Sequence, residues 1–539
     1  VVISPGSRSA PLTLAFVRHP HIRTYLIPDE RAAAFIALGM AQQSNEAVAL
    51  ICTSGSAAYN YAPAIAEAFF EHTPLIVLTA DRPPEWIDQR DGQTIRQTEI
   101  YGKHVKYSTQ LPVSYEHPDA HWHIRRATGE AITHAMTFPE GPVHLNIPFR
   151  EPFYPEAEQQ FWSGSAPRVP QVVKSDPVLP QNIWTELRKI WSRSPSKLII
   201  AGQGRKEKLP FPENIPVVAD IISNQFGEKN RVHHQDLFLG RVKHPGHFQP
   251  DLLITFGRSV ISKNLKIFLR NNRPEWHWHI QEAGEVADTF QSLTHIIRTT
   301  PKLFFEGLIQ EEFPSESDYP QHWQTADETV AKYLHYFWSD EKPFSEFEAV
   351  KYILKGLPEN STLHLANSMA VRYANFFNLP ENPSVEVFAN RGTSGIDGCL
   401  STAVGHAITD PNRLHTLLIG DMAFFYDRNA LWHNHLPNNL RIVLLNNQGG
   451  GIFRMIKGPR RQPELTPYFT TPHDLNAEAM AKEVGFEYAQ SSERRPTQQL
   501  LTEFWKASER SKILEIKTDQ ETNTAILEEF RQVLNQSLK

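Results

Sequence analysis

Short apolar runs alternate with longer amphipathic or Ala-rich stretches along most of the chain. Over the first 150 or so residues the runs at 1–4, 24–27, 48–52, 75–78 and 143–147 are bounded by turn residues, and helical stretches fall at 31–42 and 57–70. Apolar runs this short, separated by helices, predict parallel strands buried on both faces. A Pro-, Ser- and Gln-rich stretch over 155–181 then reads as a surface linker. The alternation returns over 182–310, with strands predicted at 198–200, 217–219, 252–255 and 276–280. After a second polar linker, 311–344, it returns again over 345–539, at 362–366, 385–389, 414–419, 442–445 and 513–517. The pattern predicts an α/β protein with three doubly wound parallel-sheet domains, at 1–154, 182–310 and 345–539. No run approaches the 18 or so apolar residues of a membrane-spanning helix.

Composition narrows the class. With 40% hydrophobic and 21% charged residues the chain reads as an ordinary globular protein. A net charge of −6 gives no footprint for nucleic acid or an anionic membrane. Two cysteines, Cys52 and Cys399, rule out a disulfide framework and a Cys/His zinc site, so a reducing, cytoplasmic setting is expected. No G-x-S-x-G elbow marks a hydrolase. Gly202-Gln203-Gly204 suggests a dinucleotide turn, but Glu207 stands where the third glycine belongs. The chain opens on an apolar run without Met, and a preceding helix is expected in the natural protein.

The chemistry concentrates where two of these runs end. Gly420-Asp421 closes the run at 414–419, and Asn446-Asn447 closes the run at 442–445, with one helix expected between them. A right-handed crossover would lay the two strands parallel, ~4.8 Å apart, and bring Asp421 beside Asn447. One carboxylate, one amide oxygen and the bare Gly449-Gly450-Gly451 loop suit a Mg²⁺ ion that keeps positions for phosphate oxygens. Taken singly, Asp421 is also an adequate helix cap and Asn446-Asn447 an adequate turn. In the first block, Asp29 reads as an N-cap. Ser4–Ser9, Thr53–Ala58 and Thr79–Glu85 read as strand-to-helix turns, two of which carry Arg8 and Arg82. Guanidinium forks on one sheet edge suit carboxylates.

The Gly-Asp and Asn-Asn pairing resembles the signature of the thiamine diphosphate-dependent enzymes, with Met422 where many members have Gly. The strings SPGSRSAPL (4–12), DERAAAFIALGMA (29–41), TSGSAA (53–58), LTADRPPE (78–85), IRQ (95–97), HLNIPFREP (144–152), NSMAVR (367–372), NRGTSGIDG (390–398) and NNQGGGIF (446–453) are similar to the menaquinone-biosynthesis branch of that family. The resemblance implies pyrimidine-binding, central and diphosphate-binding domains in that order. It implies decarboxylation of 2-oxoglutarate and conjugate addition of the resulting carbanion to isochorismate. Another thiamine diphosphate-dependent lyase or carboligase acting on a 2-oxo acid is the alternative.

By the same resemblance Glu30, expected to be buried, activates the cofactor, and Asp421, Asn447 and the carbonyl of Gly449 ligate Mg²⁺ or Mn²⁺. Thr53, Ser54, Gly55, Asn367, Ser368, Gly420, Met422 and Ile452 contact the cofactor. Ser7, Arg8, Arg82, Gln93, Lys263, Arg391 and Phe453 face substrate. Asn264, Gly92 and the His406 region depart from basic or amide residues that some relatives carry. A homodimer or homotetramer is implied, with active sites between subunits.

Overall fold

The computed structural model describes residues 1–151, 153–156, 169–173, 176–227, 230–311, 313, 317–339, 341–379, 382 and 384–538. About half of the linker expected at 155–181 lies outside them. The eighteen strands among these residues form three six-stranded sheets in which every pairing is parallel. The first holds β1 (Val2–Ile3), β2 (Tyr25–Leu26), β3 (Val48–Cys52), β4 (Leu75–Asp81), β5 (Tyr107–Gln110) and β6 (Val143–Pro148). The second holds β7 (Lys197–Ala201), β8 (Val217–Ala219), β9 (Arg231–Val232), β10 (Leu252–Phe256), β11 (Trp276–Ile280) and β12 (His295–Ile297). The third holds β13 (Thr362–Leu365), β14 (Glu386–Phe388), β15 (His415–Gly420), β16 (Leu440–Asn446), β17 (Glu487–Ser491) and β18 (Lys512–Lys517).

The first and third sheets share one order, β2-β1-β3-β4-β6-β5 and β14-β13-β15-β16-β18-β17. The central sheet runs β12-β11-β10-β7-β8-β9, the order of a dinucleotide fold read from its far edge. Its switch-point turn is closed by protein, because a Cβ on Gly202 would lie 2.5 Å from the Arg258 carbonyl oxygen. All three sheets expected from the sequence are present.

The crossover between β15 and β16 differs from expectation. It holds a short helix, Asp421–Tyr426, and a 3₁₀ turn, Arg428–Leu431, and no single long helix. Asp427 ends the first piece because its buried carboxylate turns away to accept the Ser401 N–H (2.7 Å) and hydroxyl (2.8 Å). Likewise 57–70 splits into Ser56–Asn60 and Ala62–Phe70, with Pro63 at the start of the second helix. Within 311–344, expected to be a polar linker, the helix Tyr319–Tyr336 buries Tyr319, Trp323, Ala326, Val330 and Leu334 along one stripe.

The first and third sheets meet through the helices Glu30–Ser44 and Cys399–Thr409. Their backbones touch, since a Cβ on Gly39 would sit 2.1 Å from the Thr402 carbonyl oxygen and one on Gly405 2.1 Å from that of Ile36. Next to the crossing, His406 is fully buried with its ring nitrogens 2.9 and 3.0 Å from Gln43 and Gln42. It meets His364 edge to face, and His364 is itself 3.1 Å from His415.

Burial holds these imidazoles neutral. His364 and His406 are driven well below the ordinary histidine value, and His415 is lowered to about 4. A base depressed in the folded state takes its proton first in the unfolded chain. His415 therefore contributes full stability above ~6.5 and loses it as pH falls toward 4. The contribution lost between pH 7 and 4.5 is about 2 kcal/mol. We expect the melting temperature of a His415→Asn variant to fall less over that interval than that of the parent; parallel curves would show that His415 does not titrate as described.

Candidate functional site

The register of the third sheet sets the site. β15 and β16 pair in parallel with Gly420 opposite Leu445, so Asp421 and Asn447 lie one and two residues beyond the last pair. Asp421 is buried. Its Oδ1 accepts the Met422 N–H (2.6 Å) and its Oδ2 the Gly449 N–H (2.9 Å), which folds the Gly-Gly-Gly loop back over it. Burial raises the Asp421 pKa, and these N–H contacts oppose the shift.

The two asparagines divide their work. Asn446 serves the sheet, donating to Leu475 O (2.9 Å) and Glu515 Oε1 (2.8 Å). Asn447 donates through Nδ2 to Glu346 Oε1 (2.7 Å), while its Oδ1 is buried with no partner. A buried acceptor left unpaired costs about 1–3 kcal/mol, and this oxygen is free to take a ligand. Gly449 has φ +151, and a Cβ there would lie 2.4 Å from the Thr470 carbonyl oxygen. Among the described residues no cluster of three His, Cys, Asp or Glu side chains could hold a metal. A cation here would take the carboxylate, the amide oxygen, a backbone carbonyl and outside oxygens, which fits Mg²⁺ carrying a diphosphate.

Two acid–base residues at this site have no signal in the sequence motif. Glu346, fully buried behind Asn447, is pushed up to about 7, mainly by burial and further by Asp421. His473 stands with Nε2 3.5 Å from Asp421 Oδ2. Glu346 precedes Asp421 by 75 residues and His473 follows Asn447 by 26, and neither lies in a recognised motif. No spacing rule links them.

On the same sheet, Asn367 and Ser368 follow β13 at the switch point. Asn367 is buried and donates to the carbonyls of Asn390 and Gly395 (both 2.7 Å) while accepting Arg391 Nη1 (2.6 Å). Ser368 is held at φ +70, outside the ordinary regions for a side-chain-bearing residue. Met422, Ile452 and Phe453 are half-buried around the opposite rim, with Phe453 against Phe469 at 5.7 Å between ring centres.

The first sheet supplies a second set. Asp29 caps the helix Glu30–Ser44, accepting the Ala32 N–H (2.9 Å), as expected from the sequence. Glu30 opens that helix, half-buried in the single chain where a buried position is expected, with Asn60 Nδ2 3.5 Å away. Thr53 and Ser54 have buried hydroxyls without partners. Gly55, at φ +87, is fixed by its N–H donating to Gln97 Oε1 (2.8 Å). Gln97 is a positioning residue that motif reading did not assign. Gln93 packs against Gly55 from the exposed side, at φ +55. Ser7 is exposed at the turn after β1.

Cations gather in two places. Arg8 is buried over the Phe153 ring, donating to Phe149 O (3.1 Å), and burial and then the neighbouring Arg82 lower its pKa. Arg82 itself is tied to Asp91 (3.1 Å) and Gly92 O (2.7 Å). The second group is Arg391 with Arg372 and Lys266, whose pKa values are lowered by burial first and by Arg391 next. Lys263, expected to face substrate, is exposed at the start of the helix Lys263–Asn271. The lysine one turn further on is the one near Arg391. Asn264 bonds Asp236 and closes off that end. Arg372 was contained in the string 367–372 but carried no sequence signal of its own.

Comparison with known proteins identifies the family. The family described as "Thiamine pyrophosphate enzyme, N-terminal TPP binding domain" matches residues 1–100. The 2-succinyl-5-enolpyruvyl-6-hydroxy-3-cyclohexene-1-carboxylate synthase of Cytophaga hutchinsonii is 46% identical, covering 100% of this chain and 96% of its own. The proteins of the same name from Flavobacterium psychrophilum and Porphyromonas gingivalis are 39% and 37% identical, over 98% of this chain and 94% and 93% of theirs. Likeness of this extent, running from end to end, shows that the chain belongs to the 2-succinyl-5-enolpyruvyl-6-hydroxy-3-cyclohexene-1-carboxylate synthase family of thiamine diphosphate-dependent enzymes.

Proposed function

We propose that this protein decarboxylates 2-oxoglutarate and transfers the four-carbon remainder to isochorismate by conjugate addition, giving 2-succinyl-5-enolpyruvyl-6-hydroxy-3-cyclohexene-1-carboxylate for menaquinone biosynthesis. The observation that carries the reading is the unpartnered, buried Asn447 Oδ1 beside Asp421 at the ends of adjacent strands. Asp421, Asn447 and the Gly449 carbonyl would hold Mg²⁺ or Mn²⁺. Thiamine diphosphate, when bound, supplies the electron sink for loss of CO₂ from a 2-oxo acid. Residues 345–539 would bind its diphosphate end and residues 1–154 its pyrimidine, with 182–310 as the central domain.

Glu30 would exchange a proton with the pyrimidine through its carboxyl, and the Thr53 and Ser54 hydroxyls and the Asn367-Ser368 turn would face the cofactor. The two cationic groups suit the chemistry of two dicarboxylates in an otherwise acidic chain. Arg8 and Arg82 form one, and Arg391, Arg372 and Lys266 the other. A lyase for a monocarboxylic 2-oxo acid leaves one group without a role. Ile452 and Phe453 exclude water at the rim.

A second copy of the chain supplies the other wall. Around Glu30, Leu26, Tyr59, Tyr426 and Trp432 are all more than half exposed, an apolar face of the kind that subunit contacts cover. Burial of Glu30 then follows from assembly, as a homodimer or a dimer of dimers.

We expect Glu30→Gln to bind thiamine diphosphate normally in calorimetry and to slow turnover by at least ~10²-fold, the lower range for acid–base groups. Near-normal deuterium exchange at the cofactor's C2 in that variant would remove Glu30 from the reaction. Arg82→Ala should lower kcat/KM for a dicarboxylate substrate by about 10- to 150-fold with cofactor affinity retained. Parallel loss of cofactor affinity would place Arg82 elsewhere. Chelation of divalent cations should weaken thiamine diphosphate binding at least ~10-fold, and Asn447→Ala in Mg²⁺ should match it. Unchanged affinity in both would take the ion out of the site.

A further inference from the structure

Two acids that no motif singles out lie against the loop carrying Arg391. Glu67 lies in the helix Ala62–Phe70 and Glu71 caps its end; one turn apart, they share a face. Both are almost wholly buried, at 1% and 3% exposure, where an acid without partners would be strongly disfavoured. Their partners come from the other two sheets. Glu67 Oε1 accepts the Gly392 N–H (2.8 Å), and its Oε2 accepts the Thr393 N–H (2.7 Å) and hydroxyl (2.5 Å). Glu71 Oε1 accepts the Arg391 N–H (3.0 Å), and its Oε2 accepts Gln203 Nε2 (3.0 Å) and Arg258 Nη2 (3.1 Å). Three consecutive loop N–H groups thus end on two carboxylates. The approach is close, since a Cβ on Gly392 would lie 2.8 Å from the Glu67 carbonyl oxygen.

The guanidinium of Arg391 is held from the other side by Asn367 Oδ1, and its Nε is buried without a partner. The backbone is fixed by one domain and the head by another, with a donor left free. We propose that Glu67 and Glu71 are positioning residues that set Arg391 for a substrate carboxylate. The proposal rests on the function proposed above, in which Arg391 meets substrate.

A double-mutant cycle tests it. Gln in place of Glu67 keeps the shape but turns an NH₂ toward a loop N–H, so one of the three bonds is lost. For the dicarboxylate whose KM rises in Arg391→Ala, we expect Glu67→Gln to raise KM about 10-fold and change kcat less than 2-fold, with thiamine diphosphate affinity unchanged. In the Arg391→Ala background the same substitution should cost less than about 2-fold, because the contact it positions is already gone. Full additivity, or no effect of Glu67→Gln alone, overturns the positioning role. Arg391→Ala with unaltered KM for both dicarboxylates overturns both that role and the assignment of Arg391 to substrate, a distinct pattern. Should Glu67→Gln fail to fold, Thr393→Val removes only the hydroxyl donor to Glu67 and is read through the same cycle.

Discussion

Strands that run parallel can present their carboxyl ends at one edge only. The site depends on that constraint. With β15 and β16 in fixed register, a carboxylate and an amide that are far apart in the chain become neighbours, and neither can be moved without sliding a whole buried strand. The same rule places the Ser4–Arg8, Asp29–Glu30 and Thr53–Gly55 turns along one edge of the first sheet. It also places Asn367-Ser368 beside Gly420-Asp421 on the third. The sheets hold the reactive loops rigidly. Their strands are built mainly of Val, Ile and Leu with buried polar residues such as His364 and His415 among them, and the candidate cofactor residues stand at or just past the strand ends.

The edges of the molecule are less legible in sequence than its middle. β5, β9, β12 and β17 have no counterpart among the predicted strands, and each is the outermost strand of its sheet. β5, β12 and β17 are partly exposed and mix polar with apolar residues, and β9 is buried but only two residues long, so none offers the apolar run that marks a central strand. The crossover after Asp421 reads as a helix from spacing alone; the Asp427 carboxylate, bonded to Ser401 in another helix, interrupts it. In the candidate site, Asp421, Asn447, Glu30 and Arg8 stand in contiguous motifs, so sequence reading singles them out. Those that act through the fold are not singled out. Glu346, Gln97 and Arg372 look like ordinary helix or loop residues until the layers are stacked.

Several polar atoms at the two sheet edges are buried without partners, among them Asn447 Oδ1, Thr53 Oγ1, Ser54 Oγ and the Nε atoms of Arg8 and Arg391. Each is a local cost that a folded chain normally avoids. Their grouping at the proposed cofactor and substrate positions means that the binding surface is in place before any ligand arrives. Preorganisation of this kind spends stability on affinity, since less ordering remains to be done on binding. The neighbouring Gln97 and Asn367 amides show how it is maintained, each filling the remaining valences of a loop that would otherwise relax.

The helix Glu30–Ser44 is buried on every side from Ala32 to Ala41, and the glycine crossing with Cys399–Thr409 is one of the surfaces that bury it. Its partner helix is encoded some 360 residues later, as the His406–Gln43 separation of 363 makes plain. At the usual ribosomal pace of about 5–20 residues per second, the Ala-rich helix waits roughly 20–70 s for its counterpart. Through that interval the nascent chain carries an unpaired apolar surface of the aggregation-prone kind that chaperones cover.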